Sequence, residues 1–298
     1  MSKTATQLSP TAEHSAIEDI VLRYSSRGMT LLKKYLESDY CHQAARKLLE
    51  CRRGTVLLTT GFFVSGVAET DGPPGTVCVS SVLQKLGFHP VIVTDRICKG
   101  LFETEQITVE YVDFNAGPDI YEELLVRYDP VALISIERCG HNMQNDYANM
   151  RGISIAEQTA RIDLMFEQAF RKHIFTIGIG DGGNEIGMGN LKEVIAEKMD
   201  LNPCAVPVDE LIVATTSNWG AYALAACLDI LAQRHVFPSY QEIAGYLNRI
   251  VALGCVDGVT KKAEPSVDGF APRIEQEIID ALTEVIQKNE NTEKKGDA

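Results

Sequence analysis

The sequence predicts an α/β protein built on a doubly wound, mostly parallel, Rossmann-like sheet with a helical segment at its N-terminus. Two observations support this fold class. From residue 55 onward, short and nearly continuous apolar runs alternate with segments of helical periodicity, a pattern typical of parallel strands that are covered by helices on both faces. In addition, glycine-rich and carboxylate-rich segments follow several predicted strands, the position at which such sheets bind ligands.

The predicted elements follow one another regularly along the chain. Apolar residues at helical spacing indicate two or three helices between residues 16 and 51. Six strands are predicted at residues 56–60, 90–94, 108–114, 131–136, 174–179 and 211–215. Helices are predicted at residues 76–86, 118–128, 154–172, 191–199, 222–234, 239–253 and 273–287. Right-handed crossovers would join these strands into one parallel sheet.

The chain is predicted to be a single α/β domain over residues 1–298, since no internal repeat and no linker divides it. Residues 1–54 are interpreted as an N-terminal helical extension and residues 55–287 as the α/β core. Residues 288–298 are polar and charged, so this tail is predicted to be disordered. A chain of 298 residues is long enough to bury a full hydrophobic core.

Charge and terminal sequence restrict the partners and the location of the protein. The net charge of −13 opposes binding to nucleic-acid phosphates and to anionic membranes, and no apolar run has membrane-spanning length. Residues 1–15 lack the features of a secretory signal or a transit peptide. We therefore expect a cytoplasmic protein with a small-molecule substrate, with the mitochondrial matrix as the alternative location. Whether the chain forms a homo-oligomer is left open.

Four segments that follow predicted strands form the candidate site, because the carboxyl ends of parallel strands meet at one edge of a sheet. These segments are residues 69–75, 137–138, 178–189 and 215–220. The third holds six glycines, whose backbone N–H groups can approach a ligand closely. It contains a GxGxxG pattern, but its interior Asp181 would repel a pyrophosphate. We therefore expect no nucleotide cofactor.

Two interpretations of Asp71 are equally supported by the sequence. The residue precedes Gly72-Pro73-Pro74-Gly75 and a predicted helix, so it can cap the helix that begins at Thr76. It can also take part in catalysis, and the two roles are compatible. The N-terminus of that helix can hold an anion, whereas the nearby carboxylates favour a zwitterionic ligand or a bound metal.

Carboxylates dominate the candidate site. Five of them fall on three loops: Glu69, Asp71, Glu137, Asp181 and Glu185. Crowded carboxylates perturb one another's pKa and can act as acid and base. Together with Asn184 they also offer the hard oxygen ligands that suit Mg²⁺ or Mn²⁺. A divalent cation is therefore an open option, with Asp71, Glu137 and Asp181 as its candidate ligands.

Basic and aromatic residues complete the candidate site. Arg138 and Arg151 can each clamp a substrate carboxylate or simply pair with the acidic loops. Trp219 is the only tryptophan and follows Ser217-Asn218 at a strand end. It is interpreted as a pocket wall rather than as a core residue.

Several motifs together resemble the D-glutamate cyclase family, in its carboxy-terminal catalytic-type domain. They are Gly61-Phe62, Glu69-Thr70-Asp71-Gly72-Pro73, Glu137-Arg138, Tyr147-Ala148-Asn149-Met150-Arg151-Gly152, the segment GIGDGGNEIGMG at residues 178–189, and Ser217-Asn218-Trp219-Gly220. The resemblance covers roughly residues 15 to 285. It implies a carbon–oxygen lyase that converts D-glutamate to 5-oxo-D-proline with loss of water, in a family that includes mitochondrial members.

This reaction requires a base, an acid and a group that binds the substrate carboxylate. As a hypothesis, Asp181 or Glu185 is the base, and Glu137 or Asp71 is the acid or a metal ligand. The expected substrate-binding residues are Glu69, Thr70, Gly72, Arg138, Gly182, Gly183, Asn184, Ser217, Asn218 and Trp219. Among them, Arg138 would hold the α-carboxylate, and the N–H groups of Gly182 and Gly183 would stabilise the tetrahedral oxyanion.

Two other functions remain open at this stage. The first is a Mg²⁺-dependent enzyme that uses a nucleotide or phosphate at residues 72–75, although the sequence holds no P-loop lysine there. The second is a protein that binds a glutamate-like amino acid without turning it over. Fold resemblance does not distinguish these functions, because one fold serves many activities.

Overall fold

The structure is a computed structural model that describes residues 14–199 and 201–296. The residues before His14, on which the expectation about targeting signals depends, and residues 297 and 298 of the predicted tail lie outside the described residues. Among the residues that are described, no helix is long and apolar enough to cross a membrane.

The central sheet has six parallel strands. Its strands, in chain order, are β1 (Thr55–Thr59), β4 (His89–Asp95), β5 (Thr108–Val112), β6 (Ala132–Ile136), β7 (Phe175–Gly180) and β8 (Glu210–Val213). Two short strands, β2 (Phe63–Val64) and β3 (Val67–Ala68), form a separate antiparallel hairpin between β1 and β4. The order across the sheet is β5-β4-β1-β6-β7-β8, and every pairing in it is parallel. This is the doubly wound order of Rossmann-like sheets, so the predicted fold class is confirmed.

Helices cover both faces of the sheet. They are α1 (His14–Val21), α2 (Met29–Leu32), α3 (Tyr40–Glu50), α4 (Pro73–Lys85), α5 (Pro118–Tyr128), α6 (Asp163–Arg171), α7 (Lys192–Lys198), α8 (Ser217–Ala232), α9 (Tyr240–Ala252) and α10 (Pro272–Gly296). The most deeply buried is α8, in which every residue from Ser217 to Asp229 is buried. Its small and apolar side chains allow it to pack against α3, α4 and α10.

Three helix boundaries differ from the sequence prediction for identifiable reasons. The helix predicted from residue 154 begins only at Asp163, since the N–H of Ala160 donates to Asp95 and its carbonyl accepts from Arg138. Helix α8 begins at Ser217 rather than residue 222, because the side chain of Thr216 caps its first turn. The last helix continues to Gly296, beyond the predicted end at residue 287, through residues that are mostly good helix formers.

The N-terminal helices are tied to the ligand-binding edge of the sheet. The N–H of Thr215, just after β8, donates to the carbonyl of Val21 at 2.9 Å. The Thr215 hydroxyl donates to the carbonyl of Arg23 at 2.7 Å, and the hydroxyl of Tyr40 donates to Val213 in β8 at 2.7 Å. The residues between α1 and α2 are thereby fixed beside the carboxyl ends of the strands.

Candidate functional site

The candidate site lies at the switch point of the sheet, where the chain leaves β1 and β6 in opposite directions. Asp71 follows β1 through the hairpin, Glu137 follows β6, and Asp181 follows β7. A carboxylate oxygen of each lies within 4.8 Å of the other two. The three residues are 1, 6 and 1% exposed, respectively. We call Asp71, Glu137 and Asp181 the carboxylate triad.

Asp71 is held by the N-termini of two helices. Its carboxylate accepts from the backbone N–H groups of Ser217 at 2.8 Å and Asn218 at 2.7 Å, so it caps α8 rather than α4. In return, the side-chain oxygen of Asn218 accepts from Gly72 at 3.0 Å and Gly75 at 2.8 Å, at the start of α4. Asp71, from the loop before α4, thus caps α8, Asn218 of α8 caps α4, and both positive helix ends face the carboxylate triad.

Glu137 has an unusual backbone conformation for its residue type. Its φ of +48° lies in the left-handed region, which residues other than glycine, asparagine and aspartate rarely adopt. The side chain is held by Ser217, whose hydroxyl donates to it at 2.5 Å. Such strain is frequent at ligand-binding sites, and here it directs the carboxylate toward Asp71 and Asp181.

Asp181 has one paired and one unpaired oxygen. Its Oδ2 accepts from Nη2 of Arg27 at 3.0 Å, and the same nitrogen contacts Asp268. Its Oδ1 is buried and has no hydrogen-bond partner, a costly arrangement that a proton, a cation or a ligand would relieve.

Burial raises the pKa of the site carboxyl groups, and neighbouring carboxylates add to this effect. It raises the pKa of Asp71 to about 7 and holds the pKa values of Glu69, Glu137 and Asp181 well above their ordinary range. For Asp181, Arg27 opposes the increase. With a pKa of about 7, Asp71 exchanges between its protonated and ionised forms near neutral pH, which is the condition for acid and base catalysis.

These pKa values predict that the protein, measured in EDTA, becomes less stable as the pH rises. Between the ordinary pKa of Asp71 near 3.8 and its folded value of about 7, the folded state retains a proton that the unfolded chain loses. The free energy of unfolding therefore falls across this window, by about 3–4 kcal/mol from Asp71 alone. Melting temperatures measured in EDTA should decrease from about pH 5 to about pH 8.

Two variants test the origin of this slope. In Asp71→Asn the decrease of the melting temperature with pH should become smaller, although the weaker α8 cap lowers the melting temperature at every pH. Asp129→Asn removes a carboxylate that is 86% exposed and should leave the slope unchanged. A melting temperature that is constant or increases with pH in EDTA would contradict the prediction.

The structure places Glu185 among backbone groups rather than in the carboxylate triad. Its two oxygens accept from the N–H groups of Gly182 and Gly183, both at 2.7 Å. These N–H groups are therefore occupied and are not directed at a substrate oxyanion. Glu185 is fully buried, and it shapes the loop that carries Asp181.

Arg138 is likewise used within the fold. Its guanidinium pairs with Asp95 at 2.7 Å and donates to the carbonyls of Gly61 at 2.9 Å and Ala160 at 2.6 Å. The side chain is 1% exposed and does not line the cavity beside the site. Its position joins β4, the loop after β1 and the segment before α6.

Other residues proposed from the sequence lie around the triad in supporting positions. Thr70 donates to the carbonyl of Ser266 at 2.7 Å, and the indole of Trp219 donates to Glu275 at 2.6 Å. Trp219 is fully buried, so it is a core residue rather than a pocket wall. Asn184 lines the cavity, and its Oδ1 is buried without a partner.

A cavity of about 430 Å³ opens onto the site. Among its lining residues are Glu137, Glu69 and Asp268 from the acidic side and Arg27, Arg151 and Lys261 as cations. The volume suits a small metabolite. The mixture of charges fits a ligand that carries both ammonium and carboxylate groups.

The sequence interpretation missed two site residues, Arg27 and Asp268. Arg27 lies in the N-terminal helical segment, about 150 residues before Asp181, and no local motif marks it. Asp268 has a φ of +52° in an Asp-Gly turn. The Asp268-Gly269 pair, which is typical of turns, was the only feature of the sequence that marked this position. Asp257 organises this loop by accepting from the N–H groups of Val259 and Gly269.

Fold and site together define a Rossmann-like protein whose ligand site is built from buried carboxylates. Residues 17–283 match the family model described as D-glutamate cyclase-like, C-terminal. The chain therefore belongs to the D-glutamate cyclase-like family, and the resemblance noted in the sequence is confirmed.

Among known proteins, the human mitochondrial D-glutamate cyclase is 34% identical over 212 residues. The match includes 62% of this chain and 34% of the human protein, so the chain spans about a third of that relative's length. Solved structures share less. An exopolyphosphatase-related protein from Bacteroides fragilis has 11% identity and a TM-score of 0.38, covering 82% of this chain and 56% of that one. The Bordetella bronchiseptica enzyme WbmH, in complex with NAD⁺, has 11% identity and a TM-score of 0.29, covering 60 and 53%.

Proposed function

We propose that this protein is a lyase that cyclises D-glutamate to 5-oxo-D-proline with loss of water. The observation that carries the proposal is the carboxylate triad, which lies at a cavity of metabolite size in a chain of the D-glutamate cyclase-like family. The acidic side of the cavity suits the ammonium group of an amino acid, and its cations suit the carboxylates. We further propose a location in the cytoplasm, with the mitochondrial matrix as the alternative.

The reaction forms one bond and breaks another. The α-nitrogen attacks the γ-carboxyl carbon, a C–N bond forms, and a C–O bond then breaks to release water. The substrate ammonium gives up two protons, and the departing oxygen takes up two, so the overall proton balance is zero. A base near the nitrogen and an acid near the leaving oxygen are therefore sufficient.

The triad divides these roles between its members. Asp181 is the base, because Arg27 lies 3.0 Å from its Oδ2 and opposes the rise of its pKa on burial, while its Oδ1 has no partner and can accept a proton. Glu137 is the acid, because burial and neighbouring carboxylates raise its pKa, which favours its protonated form, and its carboxylate accepts from the Ser217 hydroxyl rather than from a guanidinium. Asp71 is fixed by the N-terminus of α8 and provides negative charge for the substrate ammonium.

We also propose that the triad can hold Mg²⁺ or Mn²⁺. Three carboxylate oxygens within 4.8 Å of one another and the unpartnered Oδ1 of Asp181 fit a hard divalent cation. Such an ion, when bound by Asp71, Glu137 and Asp181, would polarise the substrate γ-carboxyl group. The roles given to the side chains do not depend on it.

Incubation of the purified protein with D-glutamate tests the proposed function. We expect 5-oxoproline to form from D-glutamate faster than from L-glutamate, as measured by chiral chromatography with mass detection. Parallel reactions with EDTA, Mg²⁺ and Mn²⁺ determine whether a cation is needed. The absence of 5-oxoproline under every condition would refute the proposal, and calorimetric binding of glutamate without turnover would indicate an amino-acid-binding protein instead.

A further inference from the structure

Arg27 is the residue through which the N-terminal segment enters the site. It lies between α1 and α2, just before Gly28, whose φ of +86° turns the chain into α2. The hydrogen bonds from Thr215 to the carbonyls of Val21 and Arg23 fix this segment beside the end of β8. The position of Arg27 is therefore determined by the fold and not by a free chain end.

The guanidinium of Arg27 is only partly used by the protein. Its Nη2 contacts Asp181, Asp268 and, at 3.5 Å, the carbonyl of Thr215. Within the described residues, its Nη1 and Nε have no protein acceptor. The side chain is 27% exposed and lines the cavity, so the N–H groups of Nη1 and Nε are available as donors to an anionic ligand.

The other cations near the cavity are less suited to this task. Arg151 and Lys261 are exposed, and the ammonium group of Lys261 contacts the carbonyl of Gly258. Arg138 is fully buried, pairs with Asp95 and two carbonyls, and does not line the cavity. Arg27 alone among these side chains combines partial burial, contact with the carboxylate triad and unused donors at the cavity.

We infer that Arg27 binds the α-carboxylate of the substrate and thereby positions the amine beside Asp181. This inference rests on the proposed function for the identity of the substrate. The α-carboxylate and the amine are attached to the same carbon, so a carboxylate that accepts from the unused N–H groups of Arg27 brings the nitrogen toward the Asp181 side chain, which lies 3.0 Å from Nη2. The γ-carboxyl carbon is then left to approach Glu137.

Ligand binding tests this role independently of turnover. 5-Oxo-D-proline retains the α-carboxylate, and pyrrolidin-2-one is the same lactam without it. Calorimetry should show that Arg27→Gln weakens binding of 5-oxo-D-proline by about 10- to 100-fold, the loss expected for a charge-assisted hydrogen bond. Binding of pyrrolidin-2-one should be unchanged. In activity assays, Arg27→Gln should increase KM for D-glutamate more than it lowers kcat.

Matched variants separate this role from a structural one. Arg23→Gln removes a guanidinium from the same segment that pairs with Glu277 on the surface, and it should bind both ligands as the wild type does. Arg27→Lys keeps the charge but not the several N–H donors with which the guanidinium can reach Asp181, Asp268 and a ligand at once, so it should recover only part of the affinity for 5-oxo-D-proline. Arg27→Gln leaves Asp268 without its cationic partner and should lower the melting temperature. Adding Asp268→Asn should restore the melting temperature but not the affinity for 5-oxo-D-proline.

The outcomes distinguish failure of the inference from failure of the proposed function. If the wild type cyclises D-glutamate and Arg27→Gln discriminates between the two lactams as the wild type does, Arg27 does not bind the carboxylate and the inference is overturned. It is also overturned if the wild type does not prefer 5-oxo-D-proline to pyrrolidin-2-one. If no cyclisation occurs but the preference disappears in Arg27→Gln, carboxylate binding by Arg27 stands and only the proposed reaction fails.

Discussion

Replacement of Asp181 by asparagine is expected to lower kcat for D-glutamate cyclisation by about 10²- to 10⁴-fold, the usual contribution of a positioned base. Asparagine has the same shape and can still accept from Arg27, but it cannot take a proton from the substrate ammonium. The substrate carboxylate contact with Arg27 is retained in this variant. The loss should therefore appear mainly in kcat, with a smaller change in KM.

The folded state should tolerate this substitution. Asp181 is buried, and its ionised form is disfavoured by desolvation, so the neutral amide should leave the melting temperature unchanged or slightly higher. Asp129→Asn, at a carboxylate 86% exposed, is the matched control and should retain full activity. Full activity in Asp181→Asn would exclude Asp181 as the base and would direct attention to Asp71.

The strands could be predicted from the sequence because burial on both faces leaves nearly continuous apolar runs. β6 is an example, since all five of its residues are buried and its predicted and observed bounds differ by one residue. The first residues of the helices were harder to predict from the sequence. The start of α6 depends on a hydrogen bond that the N–H of Ala160 donates to Asp95 and on one that its carbonyl accepts from Arg138, and these are tertiary contacts that no local pattern encodes.

The sequence predicted which carboxylates form the site, but not which groups each of them contacts. Strand ends identified Asp71, Glu137 and Asp181, because parallel topology brings loops after strands to one edge. The sequence did not indicate that Glu185 would be satisfied by backbone N–H groups within its own loop. It also did not indicate Arg27, since contacts between residues far apart in the chain depend on the fold itself.

Replacement of Arg138 by methionine is expected to destabilise the protein by about 3–5 kcal/mol, as observed when one partner of a buried ion pair is removed. The substitution leaves Asp95 as an uncompensated buried charge and deprives the carbonyls of Gly61 and Ala160 of their donors. For a chain of this size, each kcal/mol corresponds to about 2–4 °C in melting temperature. Urea denaturation followed by circular dichroism measures the change directly.

A double-mutant cycle with Asp95→Asn separates the structural role of Arg138 from a role in substrate binding. If the ion pair is structural, adding Asp95→Asn to Arg138→Met should restore part of the lost stability, because the unpaired charge is removed. At a temperature where Arg138→Met is folded, its affinity for 5-oxo-D-proline should remain close to that of the wild type. Unchanged stability combined with a large loss of this affinity would instead place Arg138 on the substrate carboxylate, in the role that the sequence alone suggested for it.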